Sequence, residues 1–345
     1  MSAQTTSEHP AKSPSTPEIP TFIPGAPFDD TDADLLLTSC DGADFRVQSH
    51  VLALLSPVFK GMFSFPQPPG ETEIPRVQMS ETAIVLDRVL RFCYPGGDCD
   101  PVDLSLQQLK EILDIGRHKY DIQSIVPRAK MVLKSKLNTD PVAAFAIACS
   151  QEWNDLAVNA ARSSLRFPIR SFDFVPELRN IPAHQYQAIL RYHAECSAVC
   201  VDSTKTLETW YKDTSKSFFT CQVCPPSALW TRPAPVKSRQ YSRTWFSCYL
   251  KAARHALKVQ PLADLSDPVL MVDAVKGFAE CASCRAHGFD HLQEFAKRAL
   301  PARINSVINT VCIFRICVSY ALIVESIRKK SGSIFDRVWA MKSRG

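Results

Sequence analysis

Two of the chain's thirteen cysteines' pairings have a metal-ligand spacing, and they are its best candidates for chemistry. Cys221-x-x-Cys224 and Cys281-x-x-Cys284 each let one turn present two sulfurs to a tetrahedral Zn²⁺, and together they would complete a four-thiolate structural site. The stretch from Cys224 to Cys281 is longer than a zinc ribbon normally uses, and other donors stand close by. His193, Cys196 and Cys200 fall on one helical face, and His287 and His291 follow Cys284. Sequence therefore leaves the ligand set open. The competing reading is reduced thiols that pack as small hydrophobes. A redox role has less support, because neither pair follows a strand in a βαβ pattern.

Asp34 and His50 are polar residues beside apolar runs. A buried carboxylate must find a donor, so they read first as a hydrogen-bonded pair fixing a hairpin against the next helix. A charged pocket for a partner is the functional alternative, and a catalytic base a distant third. Glu81 lies at a helix start, where capping and the helix dipole explain an acid. There is no Walker loop, dinucleotide glycine fingerprint, nucleophile elbow or paired metalloprotease histidines, and only 11 glycines are available to cradle phosphates. No enzyme is expected.

The elements that would hold these residues are legible from periodicity. Leu35–Leu37 and Phe45–Val47 are two apolar runs separated by a turn with Asp41-Gly42, a hairpin signal. Leu52, Leu55, Phe59 and Phe63 then recur at helical spacing and predict one helix. Glu73-Ile74-Pro75-Arg76-Val77 reads as a short edge strand, since proline cannot donate to a ladder. Helices are expected from Ser80 or Glu81 to Cys93, from Leu106 to Gly116, after Ser124, from Asp140-Pro141 to Glu152, over Leu156–Leu165 and over Ala183–Cys200. Between Asp202 and Arg243 the pattern weakens around Pro225, Pro226, Pro233 and Pro235. Helices resume over Trp245–Val259, Pro268–Ala286 and His291–Ile308.

Composition sets further bounds. The 345 residues suffice for about two domains, and 46% hydrophobic content can fill sizeable cores. A net charge of +5 does not by itself call for nucleic acid. Basic residues between Arg232 and Arg243 interleave with Trp230, Tyr241, Trp245 and Phe246, the mixture that grips single strands, although a solvated loop is the simpler reading. The opening residues lack an apolar core segment, and the apolar run Val311–Val324 is short and interrupted by Arg315. An intracellular protein without a membrane helix and with reduced thiols is expected. The divisions are a Pro/Ser/Thr-rich disordered tail over 1–27, a mixed domain over 28–137, a helical extension over 138–200, an irregular linker over 201–243 and a helical region over 244–345. The character of Ile316–Gly345 is left open.

Residues Asp29 to about Leu137 resemble the BTB/POZ domain, of the type abundant in fungi. The likeness rests on Asp34, Asp41-Gly42, Phe45 and Val47 before His50, Val51-Leu52, Ser56-Pro57-Val58-Phe59 and Met62-Phe63. It continues with Val77, Glu81, Leu86, Leu90, Phe92, Tyr94-Pro95 and Lys119-Tyr120. The resemblance implies an α+β fold, a small sheet flanked by helices, followed here by a mostly helical C-terminal region. It implies protein partners and self-association, with the chain acting as adaptor or scaffold. Asp34, His50, Met79 and Glu81 are the partner-contact candidates; the last two follow an apolar-x-Glu contact that some such domains make with cullins. That contact would need exposed apolar residues at Leu106–Leu113, or at Val85 and Leu86. The Pro-rich stretch before Asp34 argues against the swapped dimer of zinc-finger relatives. Two alternatives stand beside the scaffold: an adaptor of a cullin-type ubiquitin ligase, and a zinc-stabilised nucleic-acid binder.

Overall fold

The computed structural model describes residues 22–64, 74–94, 104–169, 175–205, 226–231 and 241–311, with backbone alone for 226–231 and 241–243. These residues divide into two compact units, one ending at Val132 and the other beginning at Leu133.

The first unit is built on strands β1 (Leu35–Thr38), β2 (Asp44–Val47) and β3 (Arg76–Gln78), in the order β2-β1-β3. β1 pairs antiparallel with β2, Leu35 opposite Val47 and Leu37 opposite Phe45, and parallel with β3, Leu37 beside Val77. All four β1 residues are buried, as a central strand covered on both faces requires. β2 alternates, with Phe45 and Val47 inward and Asp44 and Arg46 only partly covered. Gly42 in the hairpin turn has φ +90°, a conformation that costs glycine nothing and any other residue a good deal. The expected edge strand forms at Arg76, and the carbonyl of Pro75 accepts the Leu36 N–H at 2.9 Å. Proline thus sits where only an acceptor is needed.

Helices surround the sheet: α1 (Ser49–Leu55), α2 (Pro57–Phe63), α3 (Ala83–Cys93), α4 (Leu106–Ile112) running on as a π-helical stretch Leu113–Lys119, and α5 (Ile125–Lys136). The single helix expected over Leu52–Phe63 is two. A residue before proline is driven out of the α region, and Ser56 is extended at φ −140°, ψ 122°. Pro57 opens α2, and the Ser56 hydroxyl accepts the Phe59 N–H at 3.1 Å as its cap. α4 begins at a capping box of Ser105 and Gln108.

Residues 22–27, which fall within the expected tail, are described and packed. Phe22 stacks on Phe45 with ring centroids 6.0 Å apart, and Arg91 donates to the Ala26 carbonyl at 2.6 Å. Phe28 is 1% exposed and meets both Phe45 and Tyr94 edge-on. Residues 22–33 form turns and hold neither strand nor helix.

The second unit is mainly helical. α6 (Pro141–Ser150), apolar nearly all round, packs on α7 (Asn154–Ser164) and on a 3₁₀ turn Pro176–Asn180. α8 (Ala183–Lys205) packs on α9 (Thr244–Val259) and on α13 (Leu300–Ile308). Between these lie α10 (Pro268–Ala279), α11 (Ala282–Arg285), α12 (Gly288–Glu294) and a π-helical turn Phe295–Ala299. α9 and α10 approach so closely at Gly277 that a Cβ there would lie 2.9 Å from that of Trp245. An aromatic cluster closes the core, with Phe246–Phe295 at 5.2 Å and Trp245–Phe278 at 5.7 Å. Within the stretch expected to be an irregular linker, the described residues are the end of α8 and a strand pair, β4 (Pro226–Thr231) with β5 (Tyr241–Arg243); residues 206–225 and 232–240 lie outside the described residues. No helix among the described residues is long and apolar enough to cross a membrane.

Candidate protein-interaction surface

The four partner-contact candidates split by burial. Asp34 and His50 are exposed, while Met79 is 4% and Glu81 8% exposed. The buried Asp34–His50 pair is therefore corrected. Asp34 spends both carboxylate oxygens on Ser49, accepting its backbone N–H and its hydroxyl at 2.6 Å each. It caps α1 from outside the helix, so it cannot orient His50 as a base. Partial burial pushes the Asp34 carboxyl up, but the Ser49 hydrogen bonds and the nearby His50 charge outweigh it and hold it below its ordinary value.

A second long-range cap joins the hairpin to α3. Asp41 accepts the Ser39 hydroxyl at 2.6 Å and the Ala83 N–H at 2.8 Å. The Ser39 hydrogen bond is the main reason its carboxyl lies below the ordinary range. The capping role expected of Glu81 thus belongs to Asp41.

Glu81 faces inward. It accepts the Tyr120 hydroxyl at 2.7 Å and is ion-paired with Lys119, while its own carbonyl accepts the Cys40 N–H at 2.9 Å. Burial raises its carboxyl, yet the Lys119 and Tyr120 hydrogen bonds bring it net below its ordinary value. Burial and the Glu81 acceptor together push the Tyr120 phenol far up, so it stays protonated and donates. The Tyr120 ring stacks on Phe59 at 4.7 Å. Met79 and Glu81 are therefore structural: they seat β3 and the start of α3 against the end of the π-helical stretch. The apolar residues that would complete a surface around them are also withdrawn. Leu106, Leu109, Ile112, Leu113 and Leu86 are all at most 8% exposed; Val85 is half-buried and Ile84 is 58% exposed.

Exposed apolar residues occur at several places among the described residues, Ile23, Ile84 and Met131 in the first unit and Val269 and Val272 on α10 among them, and two of them, Leu54 and Val58, lie close together on α1 and α2. Leu54 is 86% exposed, and Pro57, Val58 and Gly61 are exposed after it. His50 and Lys60 are the only ionisable side chains in these two helices. The inward stripe takes Leu52 and Phe59, both at most 1% exposed, and leaves Leu54 and Val58 as apolar residues off the stripe. That surplus was readable in the sequence as apolar residues out of phase with Leu52 and Phe59.

In the second unit, Cys281 precedes the short helix α11 and Cys284 lies within it, at 7% and 1% exposure. Cys221 and Cys224 lie outside the described residues, as do Arg232–Gln240 and the segment from Ile316 onward. Among the described residues, no group of three or more His, Cys, Asp or Glu is placed to hold a metal ion. Three of the alternative donors lie in the core of the second unit. His193 Nε2 contacts the Phe167 carbonyl at 3.2 Å, and burial pushes the Cys196 and Cys200 thiols up to about 12. Both cysteines are 0% exposed. Trp245 and Phe246, offered as base-stacking platforms, are at most 1% exposed and belong to the core as well.

Residues 28–137 match the family model described as the BTB/POZ domain. That span contains the three-stranded sheet and its flanking helices. No curated protein matches the chain.

Proposed function

From a chain that carries a BTB/POZ domain, a protein-interaction module, at residues 28–137, we propose a non-enzymatic adaptor or scaffold that self-associates through α1 and α2. The observation that carries this reading is the outward placement of Leu54, with Pro57 and Val58 exposed beside it. An apolar group held in water at 86% exposure gains free energy only when another surface covers it. The sparse charge on these helices lowers the desolvation cost of covering them. Asp34 beside α1 and His50 in its first turn supply a polar rim, as contact surfaces usually have. A ligase-adaptor subtype would have to use residues other than Met79 and Glu81, both of which are committed to the interior.

Light scattering of the full chain tests the proposal. Wild type is expected at a multiple of the 38.5 kDa chain mass, and Leu54→Asp with Val58→Asp is expected to return it to one chain. A wild type that stays monomeric at high concentration, or a charged variant that remains oligomeric, would count against it.

A further inference from the structure

The chain's eight histidines include one pair a single helical turn apart, His287 and His291. His287 precedes α12 as its cap residue and His291 lies within the helix, and the His291 N–H donates to the His287 carbonyl at 3.2 Å. That bond sets the two residues one above the other on one face. Both are exposed, and their ring centroids stand 6.1 Å apart. Two imidazoles that share one tetrahedral ion at ordinary bond lengths have centroids about 5 Å apart. Exposed side chains close that difference by small torsional changes.

The surroundings decide what kind of ion suits the pair. Imidazole suits Ni²⁺, Cu²⁺ and Zn²⁺, whereas Mg²⁺ and Ca²⁺ ask for oxygen ligands. Asp290, beside His291, is exposed, and the guanidinium nearest in the chain, that of Arg285, is held to the Ala279 carbonyl at 3.0 Å. Cys284, three positions before His287, is 1% exposed. Among the described residues no third His, Cys, Asp or Glu is grouped with the pair. Two protein ligands leave the other coordination positions to water, which makes an open, exchangeable site rather than a closed four-ligand structural centre.

We propose that His287 and His291 together chelate one divalent transition ion of the Ni²⁺, Cu²⁺ and Zn²⁺ class. The site uses no cysteine. It is separate from the α1–α2 surface and does not depend on that reading.

The test uses the full chain and Ni²⁺ as the probe, since nickel favours imidazole and thiolates favour softer ions. Diethyl pyrocarbonate modifies unligated imidazole, and peptide mass spectrometry reads the rate at each histidine. Excess Ni²⁺ is expected to slow modification of His287 and His291 by about tenfold or more and to leave His255, an exposed lone histidine, unchanged. Chelation needs both rings, so His287→Gln is expected to restore the rate at His291, and His291→Gln the rate at His287. Wild-type tryptophan fluorescence in both variants would show that the fold survives these exposed changes. Equal rates with and without Ni²⁺, protection of His291 that survives His287→Gln, or equal protection of His255 would each overturn the proposal.

Discussion

Replacing Tyr120 with Phe removes one hydroxyl and leaves the ring stacked on Phe59 at 4.7 Å. The lost bond is a hydrogen bond to a charged, 8% exposed carboxylate, which contributes about 1.5–3 kcal/mol. Lys119 remains to pair with Glu81, but its side chain is 43% exposed and its pairing adds at most about 1 kcal/mol. Tyr120→Phe is therefore expected to cost about 2 kcal/mol and Glu81→Gln a similar amount. Glu81→Gln keeps an acceptor for the Tyr120 hydroxyl but removes the charge that strengthens the bond and the ion pair with Lys119. Both changes therefore weaken the same bond, and the double variant is expected to cost less than the sum. The acid dependence follows from the same contacts. The Glu81 carboxyl titrates lower folded than its ordinary 4.5, so its stabilisation is complete above 4.5 and is lost as pH falls through the folded value. Glu81→Gln should remove that part of the acid sensitivity. The first unit holds no tryptophan, since the first of the chain is Trp153, so tryptophan fluorescence does not report on these contacts directly. Native-state amide exchange on peptides spanning β1, β3 and α3 reads them directly, with tryptophan unfolding as a control on the second unit. Unchanged exchange in Tyr120→Phe, or strictly additive costs, would refute the buried network.

Ser56→Ala removes the cap of α2 and the donor to the buried Tyr120 carbonyl, and is expected to cost about 2–3 kcal/mol by the same exchange assay. Asp34→Ala, which uncaps α1 at an exposed site, is expected to cost about 1 kcal/mol and to speed exchange in α1 before α3. Packing of Cys284 as a thiol at 1% exposure predicts that Cys284→Ser is more destabilising than Cys284→Ala, by about 1–2 kcal/mol in tryptophan-monitored unfolding. A metal-ligating thiolate would instead make both equally damaging, and a chelator would mimic them.

What could be read from the sequence was whatever depends on near neighbours. The hairpin at Asp41-Gly42, the edge strand after Pro75 and the helix start at Asp140-Pro141 each carry their cause within a few residues. The break at Ser56 was local too, written in the following proline, but the continuing apolar stripe masked it. Other features depend on residues far apart in the chain. Nothing near Glu81 tells that Tyr120, 39 positions on, will claim its carboxylate, or that Asp41 rather than Glu81 will cap α3. The same holds for Asp34, whose partner proved to be Ser49 and not the adjacent histidine. The strand pair at Pro226 and Tyr241 was hidden because prolines and a weak period argue against strands when their partner is unknown.

The most direct measurement of the contact face is amide exchange of the full chain at low and high protein concentration. If α1 and α2 are covered by a second copy, exchange over residues 49–63 slows as concentration rises and that of α4 does not. Concentration-independent exchange in α1 and α2, or protection confined to another element, would contradict the account.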